Sequence, residues 1–357
     1  MSGEARKSTM EDLENMSTGH ANMSKGDKIT ARAVMRDQRE ALEIMGQTDA
    51  HLATVRRVFD IQLIPRGNEI IIKGHKDQVG RVKILFEELQ KIYRNGGRVT
   101  SSDVAYVAEV VENREEVSLD AAFSDIILTT AKGIPIRSRT IGQKHYVQAA
   151  RDNDIVFCIG PAGTGKTYLA VALAISALKA QEVSRVILVR PAVEADEKLG
   201  FLPGDFLEKI DPYFKPLYDA IFDMIESEQF QRYRERGIIE IAPLAYMRGR
   251  TLNDSVVILD EAQNTTAKQM KMFLTRLGYG TKTIITGDIT QIDLPADTYS
   301  GLDEIRHVLN DIERIKFAYL TEKDVVRHDL VQKIILAYQH FEENGRSNSI
   351  KKVEKDV

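Results

Sequence analysis

The apolar residues of this chain change their spacing along its length, and those changes divide it. Residues 1–38 are polar, mixed in charge and aperiodic, which predicts a disordered arm. Denser apolar positions begin near Ala41. Leu42-Glu-Ile-Met45 reads as a short strand, and residues 50–59 repeat their apolar positions at helical spacing. Ile61–Ile64 and Glu69–Lys73 flank Arg66-Gly67-Asn68, a hairpin turn signal. Val79, Val82, Leu85, Phe86 and Leu89 then share one face of a helix from Asp77 to Ile92. These elements predict a small α+β domain over 39–112, followed by a polar linker over 113–139.

From Thr140 short apolar runs alternate with helical spacings. The predicted strands are 155–159, 185–190, 238–242, 255–260, 282–287 and 315–320. Over residues 140–344 this alternation is the signature of an α/β domain with a doubly wound parallel sheet. The tail, 345–357, is charged.

Gly160-Pro161-Ala162-Gly163-Thr164-Gly165-Lys166-Thr167 fits the phosphate-binding pattern G-x-x-x-x-G-K-[ST]. It lies between the apolar run Ile155–Ile159 and the helix-forming run Tyr168–Leu178, which is the setting that a P-loop NTPase requires. Glycines let successive backbone N–H groups turn inward as an anion nest at the positive end of a helix. The expected ligand is ATP with Mg²⁺: Lys166 reaches the β- and γ-phosphates, and the Thr167 hydroxyl joins the metal.

Other candidate residues stand at the ends of later strands. Ser255-Val-Val-Ile-Leu runs into Asp260 and Glu261, which puts two carboxylates at the edge of the sheet where α/β folds bind ligands. Asp260 is expected to hold Mg²⁺ through its water shell and Glu261 to activate the water that attacks the γ-phosphate. Thr286-Gly-Asp288-Ile-Thr-Gln291 follows another strand, and Gln291 is expected to contact the γ-phosphate or that water. Upstream, Gln143 has the paired donor and acceptor that could read adenine. Downstream, Arg327 in Lys323-Asp-Val-Val-Arg327-His328 is a candidate arginine finger. Arg190, Arg248 and Arg250 are candidates for RNA phosphates or a neighbouring subunit, with structural salt bridges as the other reading.

Bulk properties narrow the class. A net charge of −4 leaves nucleic-acid binding to local patches. The single cysteine, Cys158, lies in an apolar strand and reads as a small buried hydrophobe in a protein of the reducing cytoplasm. No run approaches the roughly 18 apolar residues of a membrane helix, so no membrane partner is expected.

Together these motifs resemble the PhoH family of bacterial proteins. The resemblance is carried by the glycine loop, Arg190-Pro-Ala-Val-Glu, Lys198-Leu-Gly-Phe-Leu-Pro-Gly204 and Ala242-Pro-Leu-Ala-Tyr-Met-Arg-Gly-Arg-Thr-Leu252. It continues through Leu259-Asp-Glu-Ala-Gln-Asn264, Gln269–Arg276, Asp293-Leu-Pro295 and Asp324-Val-Val-Arg-His328, spanning about Gln143 to Tyr338. Asp196 departs from the pattern, where glycine is expected. More loosely, the N-terminal domain is similar to the family's KH-like region, whose G-x-x-G loop clamps nucleic-acid backbone. Gly46-Gln-Thr-Asp49 stands at that place without the second glycine.

The resemblance implies a RecA-like core akin to the first half of superfamily 1 helicases. It also implies a role in RNA metabolism, including partnership with a YbeY-type endoribonuclease. The chain has room for one such core and carries no second glycine loop. A homo-oligomer, such as a hexameric ring with an arginine supplied across the interface, is therefore the expected way to complete the site. The leading expectation is an Mg²⁺-dependent ATPase acting on single-stranded RNA. The alternative is an ATP-controlled switch protein of a stress or phosphate response, with slow turnover.

Overall fold

The computed structural model describes residues 28–95, 98–113, 125–191, 206–295 and 297–326, with 334 and 337. The N-terminal module runs β1 (Lys28–Val34), α1 (Gln38–Met45), α2 (Ala50–Val58), β2 (Ile61–Arg66), β3 (Glu69–His75), α3 (Lys76–Arg94) and α4 (Ser101–Glu112). Its sheet has the order β1-β3-β2 and is antiparallel throughout. Phe59, Ile70, Ile72, Leu85, Phe86 and Val107 belong to its closed core.

Two expectations are corrected here. Leu42–Met45 is helical, not a strand. Asp37 caps the helix by accepting from Arg39 N and Glu40 N, both at 2.9 Å, and Ala41, Ile44 and Met45 form its buried face while Leu42 points outward. The polar arm ends earlier than expected, because residues 28–34 pair with β3 along its whole length. The turn Gly46–Asp49 joins α1 to α2. Asp49 holds the left-handed backbone, φ 60°, that a second glycine would adopt more easily.

The expected linker also contains structure: β4 (Ile126–Thr129) and β5 (Pro135–Arg137) form a two-stranded hairpin. Next come α5 (Ile141–Asp152), β6 (Ile155–Ile159), α6 (Lys166–Lys179), β7 (Arg185–Arg190), α7 (Phe206–Met224) and α8 (Ser227–Glu235). The chain continues as β8 (Ile239–Pro243), β9 (Ser255–Leu259), α9 (Ala267–Leu274), β10 (Lys282–Gly287), α10 (Gly301–Val308) and β11 (Ile315–Tyr319).

The last six strands, β6 to β11, form one parallel sheet of order β11-β6-β10-β9-β7-β8. The central strands are apolar runs because both faces are covered. On one face α6 and α7 pack over Val156, Val186 and Ile258; on the other α9 and α10 pack over Phe157, Ile187 and Leu259. Phe157 stacks on Phe317 with ring centroids 4.6 Å apart. The strand order places the carboxyl ends of β6, β10 and β9 side by side, so the glycine loop, Asp288 and Asp260 meet at one edge.

Candidate nucleotide site

The glycine loop closes tightly over the end of β6. Gly163 and Gly165 take φ of +85° and +79°, a region open to glycine at little cost. Lys166 is 9% exposed, and its ammonium donates to the carbonyls of Gly160 (2.6 Å) and Pro161 (2.9 Å). The Thr164 hydroxyl donates to Pro161 O at 2.8 Å, and Tyr146, fully buried, donates to Lys166 O at 3.2 Å. A cavity of about 380 Å³ opens over the loop, lined by residues including Gly163, Lys166, Thr167, Glu261, Asp288 and Gln291. Burial holds the Lys166 ammonium below its ordinary pKa, opposed in part by the carboxylates of Asp288, Glu261 and Asp260. Cys158, beneath the loop, is wholly buried, and burial pushes its thiol well up, as an inert core residue requires.

Asp260 is buried at the tip of β9. Its Oδ1 accepts from the hydroxyls of Thr167 and Thr286, both at 2.6 Å. Among the described residues no group of three or more His, Cys, Asp or Glu side chains gathers to hold a metal. A hydroxyl and one carboxylate, both hard oxygen donors, suit Mg²⁺ shared with phosphates and water rather than a closed protein cage.

Glu261 sits in a left-handed backbone conformation, φ 54°, which turns its side chain back over the site. Both of its oxygens are held: Arg190 donates to Oε1 at 2.9 Å and Gln263 donates to Oε2 at 2.6 Å. Gln263 is 1% exposed and is the residue sequence reasoning missed. Its Nε2 also donates to Gln291 O (3.0 Å), and its Oε1 accepts from Asp288 N (3.0 Å). This one amide ties the acidic pair to the tip of β10. Its place in Asp260-Glu-Ala-Gln263 is visible in sequence, but its cross-linking role depends on partners 25 and 28 residues away.

Several expectations change against this geometry. Gln143 is buried with its amide turned inward, Nε2 donating to Thr164 O at 3.0 Å and Oε1 accepting from Arg139 N at 2.8 Å. It buttresses the phosphate loop instead of presenting a free donor and acceptor to adenine. Arg190 does not face outward toward RNA or a subunit. It donates to Glu261 and to Tyr213 O, and its Nε lies 3.9 Å from Asp260 Oδ2. Arg250 is a structural salt bridge, bidentate to Glu240 at 2.5 and 2.8 Å, and that bond raises its pKa. Arg248 is exposed, just past the 3₁₀ turn Leu244–Met247. Gln291 lines the cavity and is exposed. Arg327, Asp196 and the segment 198–204 lie outside the described residues, as do the tail and most of the arm.

A family model described as PhoH-like protein matches residues 135–339. The chain belongs to the PhoH family. It is 49% identical over 304 residues to the PhoH-like protein of Bacillus subtilis, covering 85% of this chain and 95% of that one. The PhoH-like protein of Mycobacterium tuberculosis is 50% identical over 303 residues, covering 85% and 86%. Protein PhoH of Escherichia coli is 47% identical over 207 residues, covering 57% and 58%. Among solved structures, the large terminase from a thermophilic bacteriophage aligns with a TM-score of 0.34 and 13% identity, over 55% of this chain and 49% of that one. The matched span, 135–339, takes in the whole parallel sheet and the motif residues gathered at its edge.

Proposed function

We propose that this PhoH-family protein is an Mg²⁺-dependent ATPase that couples hydrolysis to the handling of single-stranded RNA. The observation that carries the hydrolytic reading is the 2.6 Å bond between Thr167 and Asp260, with Glu261 directly beside it. Thr167 and Asp260 would hold Mg²⁺ together with a bound triphosphate, and the metal would supply charge neutralisation for the phosphoryl group. Residues 160–167 hold the phosphates, Lys166 supplies the cation and Glu261 takes the proton of the attacking water. Gln291, at the cavity wall, orients that water.

The RNA reading rests on the family alone; in the N-terminal module, Gly46–Asp49 is the loop between the first two helices. Asp49 brings a carboxylate to that loop, which opposes a backbone phosphate, so the RNA contact is assigned to the ATPase core. The test is ATP turnover by the purified full chain with and without single-stranded RNA. At least tenfold stimulation is expected; an unchanged rate would remove the RNA-driven reading.

The alternative of an ATP-controlled switch is favoured by one observation: both Glu261 oxygens are already engaged, which suits a site that turns over slowly until its base is released. In that case ATP alters partner binding, and RNA leaves the rate where it was. In either reading the protein is assigned to the cytoplasm. No helix among the described residues is long and apolar enough to cross a membrane.

The same reading makes the working form a homo-oligomer, with Arg327 completing a neighbour's site and a YbeY-type endoribonuclease as a candidate partner. Arg327→Ala and Glu261→Gln are each expected to be inactive alone. Mixed, they should regain activity in sites that pair an intact Glu261 with a neighbour's Arg327. Absence of recovery would place the arginine in its own subunit's site.

A further inference from the structure

The phosphate loop is gripped from behind by the segment that follows β11. Gly160 lies so close to it that an added Cβ would stand 2.6 Å from Leu320 O. Farther along, Val326 N donates to Gly163 O at 3.0 Å. Between these points the chain makes a 3₁₀ turn, Glu322–Asp324, closed by its own carboxylate: Asp324 Oδ2 accepts from Thr321 N at 2.8 Å.

Asp324 is 5% exposed, and its other oxygen accepts from the Thr140 hydroxyl at 2.5 Å. Thr140 is the N-cap of α5, and the same hydroxyl accepts from Gln143 N at 3.1 Å. Gln143 then reaches the loop at Thr164 O. Gly142 packs onto the carboxylate so closely that a Cβ there would meet Asp324 Oδ1 at 2.4 Å. Two neighbouring loop carbonyls, Gly163 and Thr164, are thus held by separate segments that share one buried carboxylate.

The grip extends past the ATPase core. Ile141, next to Thr140, donates its N–H to Tyr106 Oη at 2.7 Å, and its side chain packs on the N-terminal core. Tyr106 belongs to α4. A cleft of about 160 Å³, bordered by Tyr106, Glu109, Arg139, Lys323 and Val326, lies between α4 and the segment after β11.

We propose that Asp324 is a positioning residue for the phosphate loop, and that Tyr106 carries the same restraint into the N-terminal module, whose state then sets nucleotide affinity. The physical basis is the cost of leaving buried partners unpaired. Without the carboxylate, the Thr140 hydroxyl loses its acceptor in a buried site and the 3₁₀ turn loses the bond from Thr321 N–H that closes it, so α5 is free to move with the loop. Coupling of this kind is reciprocal: a ligand that displaces α4 changes ATP affinity, and ATP changes the affinity for that ligand by the same factor.

The inference rests on the nucleotide-binding reading, and one titration separates the two. The full chain is titrated with a fluorescent ATP analogue in Mg²⁺, beside Tyr106→Phe, Asp324→Asn and the double variant. Tyr106→Phe, which removes the acceptor of the Ile141 N–H, is expected to weaken binding about fivefold. Asp324→Asn, which disturbs a charged acceptor, is expected to weaken it by about tenfold or more, raising KM while leaving kcat within about twofold. The double variant should lose less than the product of the singles, because both act on one network. An unmodified chain that binds no nucleotide overturns the nucleotide reading and this inference with it. Binding by the parent with unchanged affinity in Tyr106→Phe, or strictly multiplicative losses, overturns the inference alone. Tyr106→Phe removes one oxygen from an aromatic ring, so it decides the question even where Asp324→Asn folds poorly.

Discussion

Glu261→Gln is expected to bind ATP nearly as tightly as the parent and to lose hydrolysis by about 10²–10⁴-fold, the usual contribution of a positioned general base. The substitution keeps the size of the side chain and suits the left-handed backbone at position 261 as well as glutamate does. One amide oxygen can still accept from Arg190 or from Gln263, though no longer can two oxygens accept from both. What disappears is the ability to take a proton. The phosphate contacts are assigned to residues 160–167, away from this side chain, so binding is expected to be preserved. Single-turnover phosphate release measures the chemistry and a separate titration measures affinity. A variant that hydrolyses ATP at the parental rate would remove Glu261 from the mechanism and move attention to Asp288, another carboxylate lining the cavity.

The parallel sheet is legible in the sequence because burial on both faces leaves a strong trace: Ser255–Leu259 is wholly buried and wholly apolar but for its first residue. β1 leaves no such trace. It is an edge strand in which Ala33 is the buried residue, and its place is fixed by backbone bonds to β3 that composition does not record. Leu42–Met45 is ambiguous for a related reason. A short apolar cluster fits a strand or a helix, and the deciding feature is the Asp37 cap before it.

In the site, the residues that chemistry demands at set positions are readable: the glycine loop, Asp260 and Glu261. The arginines are not, because a guanidinium at a strand end serves equally well for RNA, for a carboxylate or for a neighbour. Arg190 and Arg250 find their carboxylates within the chain, at Glu261 and Glu240. Gln143 is polar and near the loop in sequence, yet it is 3% exposed with its amide engaged. A buried amide needs its partners, and only the fold reveals that they are backbone groups of Thr164 and Arg139.

Lys166→Ala is expected to abolish ATP binding at ordinary concentrations, a loss of about 10²-fold or more, as when one member of a buried charge pair is truncated. The ammonium is almost wholly buried and is held by two loop carbonyls, so in this structure it is a desolvated charge waiting beside the cavity. A triphosphate would supply the counter-charge that its surroundings only partly provide. The pH dependence tests this independently. Burial lowers the folded-state pKa of Lys166 below that of the unfolded chain, so the charged form weighs against folding at neutral pH and that penalty fades as pH rises through the folded value. Bound phosphates favour the charged form and raise that pKa. ATP affinity should therefore fall as pH climbs through the lowered value, while Lys166→Ala shows no such slope. The variant should also melt close to the parent, since removing the buried charge offsets the two lost hydrogen bonds. Retained ATP affinity in a folded Lys166→Ala would mean that the loop's backbone groups hold the phosphates without their cation, and the assignment of Lys166 would fail.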